Sequence, residues 1–193
     1  MTLARDILSS AIAAIVVALL LRFFVVGAFR IPSHSMEQTL LVGDHILVSK
    51  IAYLLRDVRR GDVVVFTLPD DIPGVTAGQP LIKRVVAIEG DTLRMTATSI
   101  IVNGIRQPAP PQSASPGPLR ADANGFVEEV IIPRGHVFVI GDNRANSNDS
   151  RMWGPLDRER IIGTPLFVYW SYGPDDINPE PHLRFDRFLD MIR

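Results

Sequence analysis

Between Ile7 and Phe29 the chain reads ILSSAIAAIVVALLLRFFVVGAF, 23 residues with Arg22 as the only charge. A stretch this apolar has to be buried, either in a protein core or in lipid. As a helix rising about 1.5 Å per residue it can cross a hydrocarbon layer of roughly 30 Å. Arg22 stands near the C-terminal end, where its long side chain can reach headgroups rather than lie at the midplane. A cleaved leader is the second reading: Ile7–Leu21 has the apolar stretch, and Val26-Gly27-Ala28 offers small residues before a cut. Against it, Arg22 interrupts the segment. The expected organisation is a tail at 1–6, a transmembrane anchor at 7–29 and one domain at 30–193. Arg5 and the amino terminus oppose Arg22 and Arg30 across the anchor, so charge bias does not set its orientation.

Of the 41 formally charged residues, 38 follow residue 29, so the remainder of the 193-residue chain has an ordinary soluble composition. The net charge of −1 argues against a nucleic-acid partner. With no cysteine, the chain has no disulfide, no thiolate metal site and no cysteine nucleophile. After residue 30, short β-branched runs alternate with Gly-Asp and Asn-Gly turn signals. Strands are expected at His45–Ser49, Asp62–Thr67, Leu81–Ile88, Thr98–Val102, Phe126–Ile132, His136–Ile140 and Leu166–Trp170. Ala52–Arg59 fits a short helix. The fold class is mainly β: an antiparallel sheet domain carried by an N-terminal transmembrane helix. Residues 107–118 (QPAPPQSASPGP) hold five of the fifteen prolines and read as a flexible insertion.

Three segments carry candidate chemistry. In Pro32-Ser33-His34-Ser35-Met36 an extended chain puts Ser33 and Ser35 on one face and His34 on the other, so one hydroxyl can attack while the other donates. A plain serine-rich linker is the competing reading. In LIKRVVAI, Lys83 shares a strand face with Leu81, Val85 and Ala87. Desolvation there disfavours the ammonium and makes the amine a general base near neutral pH. The alternative is that Lys83 and Arg84 guard a strand edge against aggregation. The third segment, GDNRANSNDSR at 141–151, fails as a calcium loop: counted from Asp142, Arg144 is third, Ser147 stands where glycine is required and Trp153 is twelfth. It reads better as an Asx- and Ser-rich loop beside a site. None of the four histidines lies in a recognisable motif, which disfavours a Ser-His-Asp arrangement.

In order, FRIPSHSMEQTL, GDHILVSK, RRGDVVVF, KRVVAIEGD and GDNRANSNDSRMWG, with VYW near the end, resemble the segments of the type I signal peptidases, membrane-anchored serine proteases. The resemblance implies Ser35 as nucleophile and neutral Lys83 as general base. It implies that Ser33 and the Ser35 backbone N–H stabilise the oxyanion. Ser147 would hold Lys83, Asp149 and Arg151 would support that loop, and Asp142 and Arg144 would be structural. Phe29, Ile31, Pro32, Met36, Leu40, Ile46 and Ile82 would build shallow pockets for small residues at positions −3 and −1 of a signal peptide. The partners implied are signal-peptide-bearing precursors, added as an extended strand, and the lipid bilayer. The implied location is the outer face of the bacterial cytoplasmic membrane, with a single-pass anchor. No metal or organic cofactor is implied. Gln38 replaces the family's usual proline and Ala145 its usual aspartate. Two further readings stand beside this one: a narrow-specificity relative such as a pilin-processing protease of conjugative systems, and a non-catalytic membrane-anchored module that binds peptides.

Overall fold

A computed structural model describes residues 2–69, 78–95, 99–107, 129–175 and 178–192. All but the first residue of the expected insertion at 107–118 lies outside them. The chain begins with helix α1 (Thr2–Leu20), followed by a π-helical turn, Leu21–Val25. Strand β1 (Val26–Arg30) comes next, then a 3₁₀ turn at His34–Met36, β2 (Asp44–Ser49) and α2 (Ala52–Leu55). Strands β3 (Val63–Phe66), β4 (Leu81–Ile88), β5 (Thr92–Met95), β6 (Ile100–Val102), β7 (Ile105–Arg106) and β8 (Glu129–Ile131) follow. The rest is β9 (His136–Ile140), α3 (Ser150–Trp153), β10 (Leu156–Asp157), β11 (Ile161–Gly173) and β12 (His182–Leu183).

The expected anchor at 7–29 is divided. Helix already begins at Thr2, within the expected tail, and ends at Leu20, while Val26–Arg30 is a strand. The reason is pairing: β1 runs antiparallel to β2 from Val26 opposite Ser49 to Arg30 opposite His45, and Lys50 N–H donates to the Val25 carbonyl. A strand in that position pairs the outer edge of β2, which a continued helix would leave open. The β domain therefore starts at Val26 rather than residue 30. Every residue from Arg5 to Leu20 is exposed, including Ile7, Ile12, Ile15 and Leu19. Among the described residues no helix is long and apolar enough to cross a membrane.

The larger sheet runs β1-β2-β11-β3-β4-β9-β10, with β12 added to the end of β11, and the pairs are antiparallel. The smaller sheet is β7-β6-β5-β8. Strand β11 is far longer than the expected 166–170. Its first residues pair with β3 and the remainder with β2, with register shifts on both sides, so it curls the sheet around the core. Three apolar clusters result. One, with Leu93, Met95, Phe138 and Ile140, joins the small sheet to β4 and β9. A second, with Ile31, Met36, Leu40, Ile46 and Ile82, lies beneath the 3₁₀ turn, and the third holds Val64, Phe66, Val85 and Val139.

The C-terminal segment straps the loop that follows the 3₁₀ turn. Asp44 is wholly buried and receives Leu41 N–H, the Ser171 hydroxyl at 2.7 Å and the guanidinium of Arg187 at 2.7 Å. Arg184 lies 3.4 Å away from it and also donates to the Val42 carbonyl, and Arg187 donates to the Thr39 carbonyl. Asp44→Ala would leave two guanidinium groups without their carboxylate. It is expected to cost about 3–5 kcal/mol, read as a lower urea midpoint at unchanged slope.

Candidate functional site

The site forms where the 3₁₀ turn, β4 and the 141–151 loop converge. Lys83 stands in the middle of β4, with β3 on one side and β9 on the other, which removes the strand-edge reading. It shares its face with Leu81 and Val85, both packed in the third cluster. The expected third neighbour, Ala87, does not share that face. A register shift between Val85 and Ala87 reverses the alternation, and Ala87 packs in the first cluster instead.

Lys83 is 3% exposed and Ser35 8%. The Lys83 ammonium nitrogen, Nζ, lies 2.7 Å from Ser35 Oγ. The Lys83 pKa is lowered to about 8: burial drives it down, Asp149 and Asp142 offset this in part, and Arg151 adds to the lowering. Ser33 Oγ is 3.3 Å from Ser35 Oγ. The two hydroxyls meet as expected, although the backbone is a 3₁₀ turn rather than extended chain. In that turn Ser35 occupies the opening residues, whose N–H groups have no partner within the helix. His34 turns outward, with Nδ1 2.5 Å from Glu37 Oε1.

Around this pair the loop is held by charge. Asp149 caps α3 and its carboxylate accepts from Gly141 N–H and from the Arg151 guanidinium. Arg151 in turn donates to the carbonyls of Arg144 and Ser147. On the opposite face of β4, Arg84 donates two bonds to Asp142, which also accepts from the Thr39 hydroxyl at 2.6 Å. Asn143 ties the loop to the 3₁₀ turn, N–H to the Ser35 carbonyl and side chain to Glu37. Gly141 is required by crowding, because a Cβ there would collide with Ser147 Oγ and the Ser35 carbonyl.

The structure differs from the sequence expectations at two places. Ser147 does not bond Lys83: its Oγ is buried beside Gly141 and, among the described residues, has no hydrogen-bond partner. Most of the expected pocket residues are interior. Ile31, Met36, Leu40, Ile46 and Ile82 are buried in the second cluster with Phe29 packed against it, since β2 alternates inward at Ile46 and Val48. Of the seven, only Pro32 lines the cleft of about 400 Å³ over Ser35 and Lys83. Its other walls include Leu81, expected only as a strand neighbour of Lys83, His34, expected on the face away from the serines, and Asn146 and Asn148, which sequence reasoning did not single out. Leu81 was readable as the residue two before Lys83 on the same strand; the asparagines carried no signal beyond lying in a polar loop.

An amine held against a serine hydroxyl, with further donors beside it and an open cleft above, is equipped for acyl transfer, the chemistry of a β-sheet hydrolase that uses an amine where others use imidazole. The family comparison supports a peptidase. The chain belongs to the signal peptidase family, peptidase S26, whose family model matches residues 4–170. It is similar to a probable signal peptidase I-1 of Synechocystis, at 40% identity over 81% of this chain and 78% of that protein. A signal peptidase I of Leptolyngbya laminosa is 36% identical over 87% and 81%, and one of Pseudomonas fluorescens 36% identical over 86% and 70%.

Proposed function

We propose that this protein is a serine endopeptidase that removes signal peptides from exported precursors, with Ser35 as nucleophile and Lys83 as its general base. The observation that carries the reading is the 2.7 Å contact between Lys83 Nζ and Ser35 Oγ in a buried setting, and the family relatives support it. The neutral amine takes the Ser35 proton as Oγ attacks the scissile carbonyl. The Ser33 hydroxyl and Ser35 N–H receive the developing oxyanion, and the Lys83 ammonium then returns the proton to the departing amine. Ser147 is assigned to hold Lys83 once that amine swings away from Ser35, because its buried hydroxyl has no other partner among the described residues. Asp149 and Arg151 keep the loop in place.

The substrate lies extended through the cleft, its small side chains at −3 and −1 against Pro32 and Leu81. Ile31, Met36, Leu40, Ile46 and Ile82 back that surface from below and set its depth, with Phe29 at their margin. Helix α1 is assigned to the bilayer. Its apolar side chains are exposed on all sides, and lipid is the medium that covers such a helix without a protein partner. The β domain then lies on the extracytoplasmic face of the cytoplasmic membrane, where its precursors are tethered.

The test is the pH profile of kcat/KM for a precursor with small residues at −3 and −1. It is expected to climb with unit slope and level off above a midpoint near 8, because only the deprotonated amine can accept the serine proton. A profile flat from pH 6 to 10 would remove Lys83 as the base. Cleavage of several unrelated precursors, rather than one, separates a general peptidase from a narrow-specificity relative.

A further inference from the structure

A second cleft, of about 260 Å³, opens where β4 meets the turn before β3 and the 141–151 loop. Arg60, Arg84 and Arg144 line it together with Gln107. Two of the three arginines are compensated. Arg60 is paired with Asp91, and Arg84 donates to Asp142. Arg144 differs from both. It is 5% exposed, and among the described residues its buried Nε has no hydrogen-bond partner and its side chain forms no ion pair. Burial depresses its pKa below the usual guanidinium value, only partly offset by Asp142. Ala145, the next residue, offers no carboxylate.

Three guanidinium groups therefore face one cleft against two carboxylates, and the uncompensated charge is the most buried of the three. A buried, unpaired guanidinium is costly to maintain, and its planar fork matches the oxygens of a phosphate. We propose that this cleft binds a phosphate-type oxyanion, seated on Arg144 and flanked by Arg60 and Arg84. The group can arrive as free phosphate or as the phosphate of a lipid headgroup. Both present the same charge and oxygens, and the cleft has room for either. The proposal is independent of the Ser35–Lys83 chemistry on the other face of β4.

The experiment uses the full chain in detergent and compares the wild type with Arg144→Gln. Inorganic phosphate, set against chloride at equal ionic strength, is expected to raise the wild-type melting temperature by about 3 °C at tenfold excess over Kd and to leave Arg144→Gln unmoved. In the second arm both proteins are floated with phosphatidylglycerol or phosphatidylcholine vesicles. A preference for the anionic vesicles that disappears in Arg144→Gln, without a response to free phosphate, identifies a headgroup as the source. Arg144→Lys keeps the charge but loses the fork, and binding about tenfold weaker is expected. Should Arg144→Gln fail to fold, calorimetric titration of the wild type with phosphate and with glycerol 1-phosphate decides. Absence of heat in both titrations, or phosphate and vesicle responses that persist unchanged in Arg144→Gln, overturns the site.

Discussion

Ser35→Ala is expected to abolish precursor cleavage, lowering kcat/KM by roughly 10⁴-fold or more while leaving the fold intact. In the proposed mechanism the Ser35 hydroxyl supplies the attacking oxygen, and no neighbouring group can substitute for it. Ser33 Oγ lies 3.3 Å from Ser35 Oγ, but the hydrogen bond to Lys83 goes to Ser35. What the substitution removes structurally is small: one hydrogen-bonded hydroxyl on a turn whose backbone is fixed by Asn143 N–H and by the packing of Met36 and Leu40. Loss of such a bond costs about 1 kcal/mol. The check is paired: cleavage of a signal-peptide-bearing precursor beside a thermal melt of the same preparation. Activity of Ser35→Ala within tenfold of wild type would dismiss Ser35 as nucleophile, and a non-catalytic peptide-binding module would become the better reading.

Lys83→Met is expected to lose cleavage to a similar extent and, at neutral pH, to melt higher than the wild type. The second half follows from proton linkage. Lys83 has an ordinary pKa of 10.5 and a folded-state value of about 8. Between those pH values the unfolded chain holds a proton on this amine that the folded chain has released, so wild-type stability rises with pH across that window. Below pH 8 both states are protonated, and the folded state carries the full penalty of a buried ammonium, roughly 3 kcal/mol. Methionine fills a similar volume between Leu81 and Val85 without a charge, and replacements of this kind often stabilise by about 1–3 kcal/mol. The gain is expected to shrink as pH rises from 8 to 10.5. Urea titrations of both proteins at pH 7 and pH 10 read it directly, and a variant less stable than wild type at pH 7 would contradict the desolvated-amine account. Lys83→His is not expected to restore activity, since the imidazole is too short to span the distance.

How much of this was legible in the sequence depended on the range of the interaction. Leu81–Ile88 and His136–Ile140 matched strand for strand because local β-branched composition and bounding turns define both. Strand β1 was hidden, since Val26–Arg30 follows an apolar run without a break. Only pairing with β2, some twenty residues away, makes it a strand. The length of β11 escaped for the same reason: Pro165 and the glycines argue against a strand, and two partners override them. In the site, motif order brought Ser33, Ser35 and Lys83 together. Arg84, next to Lys83 on β4, faces away from it to bond Asp142, a direction the sequence reading left unstated. The pocket residues were misplaced because an apolar residue near a cleft and one beneath it look identical in sequence. Thr39 and Asn143 enter only through contacts with segments about a hundred residues distant, and no local pattern announces them.

The strap over the loop after Ser35 has a consequence for the order of assembly. Asp44 is made early, yet Arg184 and Arg187, which supply its counter-charges, are synthesised some 140 residues later. A nascent chain that already displays Ser35 and Lys83 still has an unmatched carboxylate under the serine loop. The loop that follows Ser35 is therefore fully tied down only after residues 184–187 have emerged and folded back.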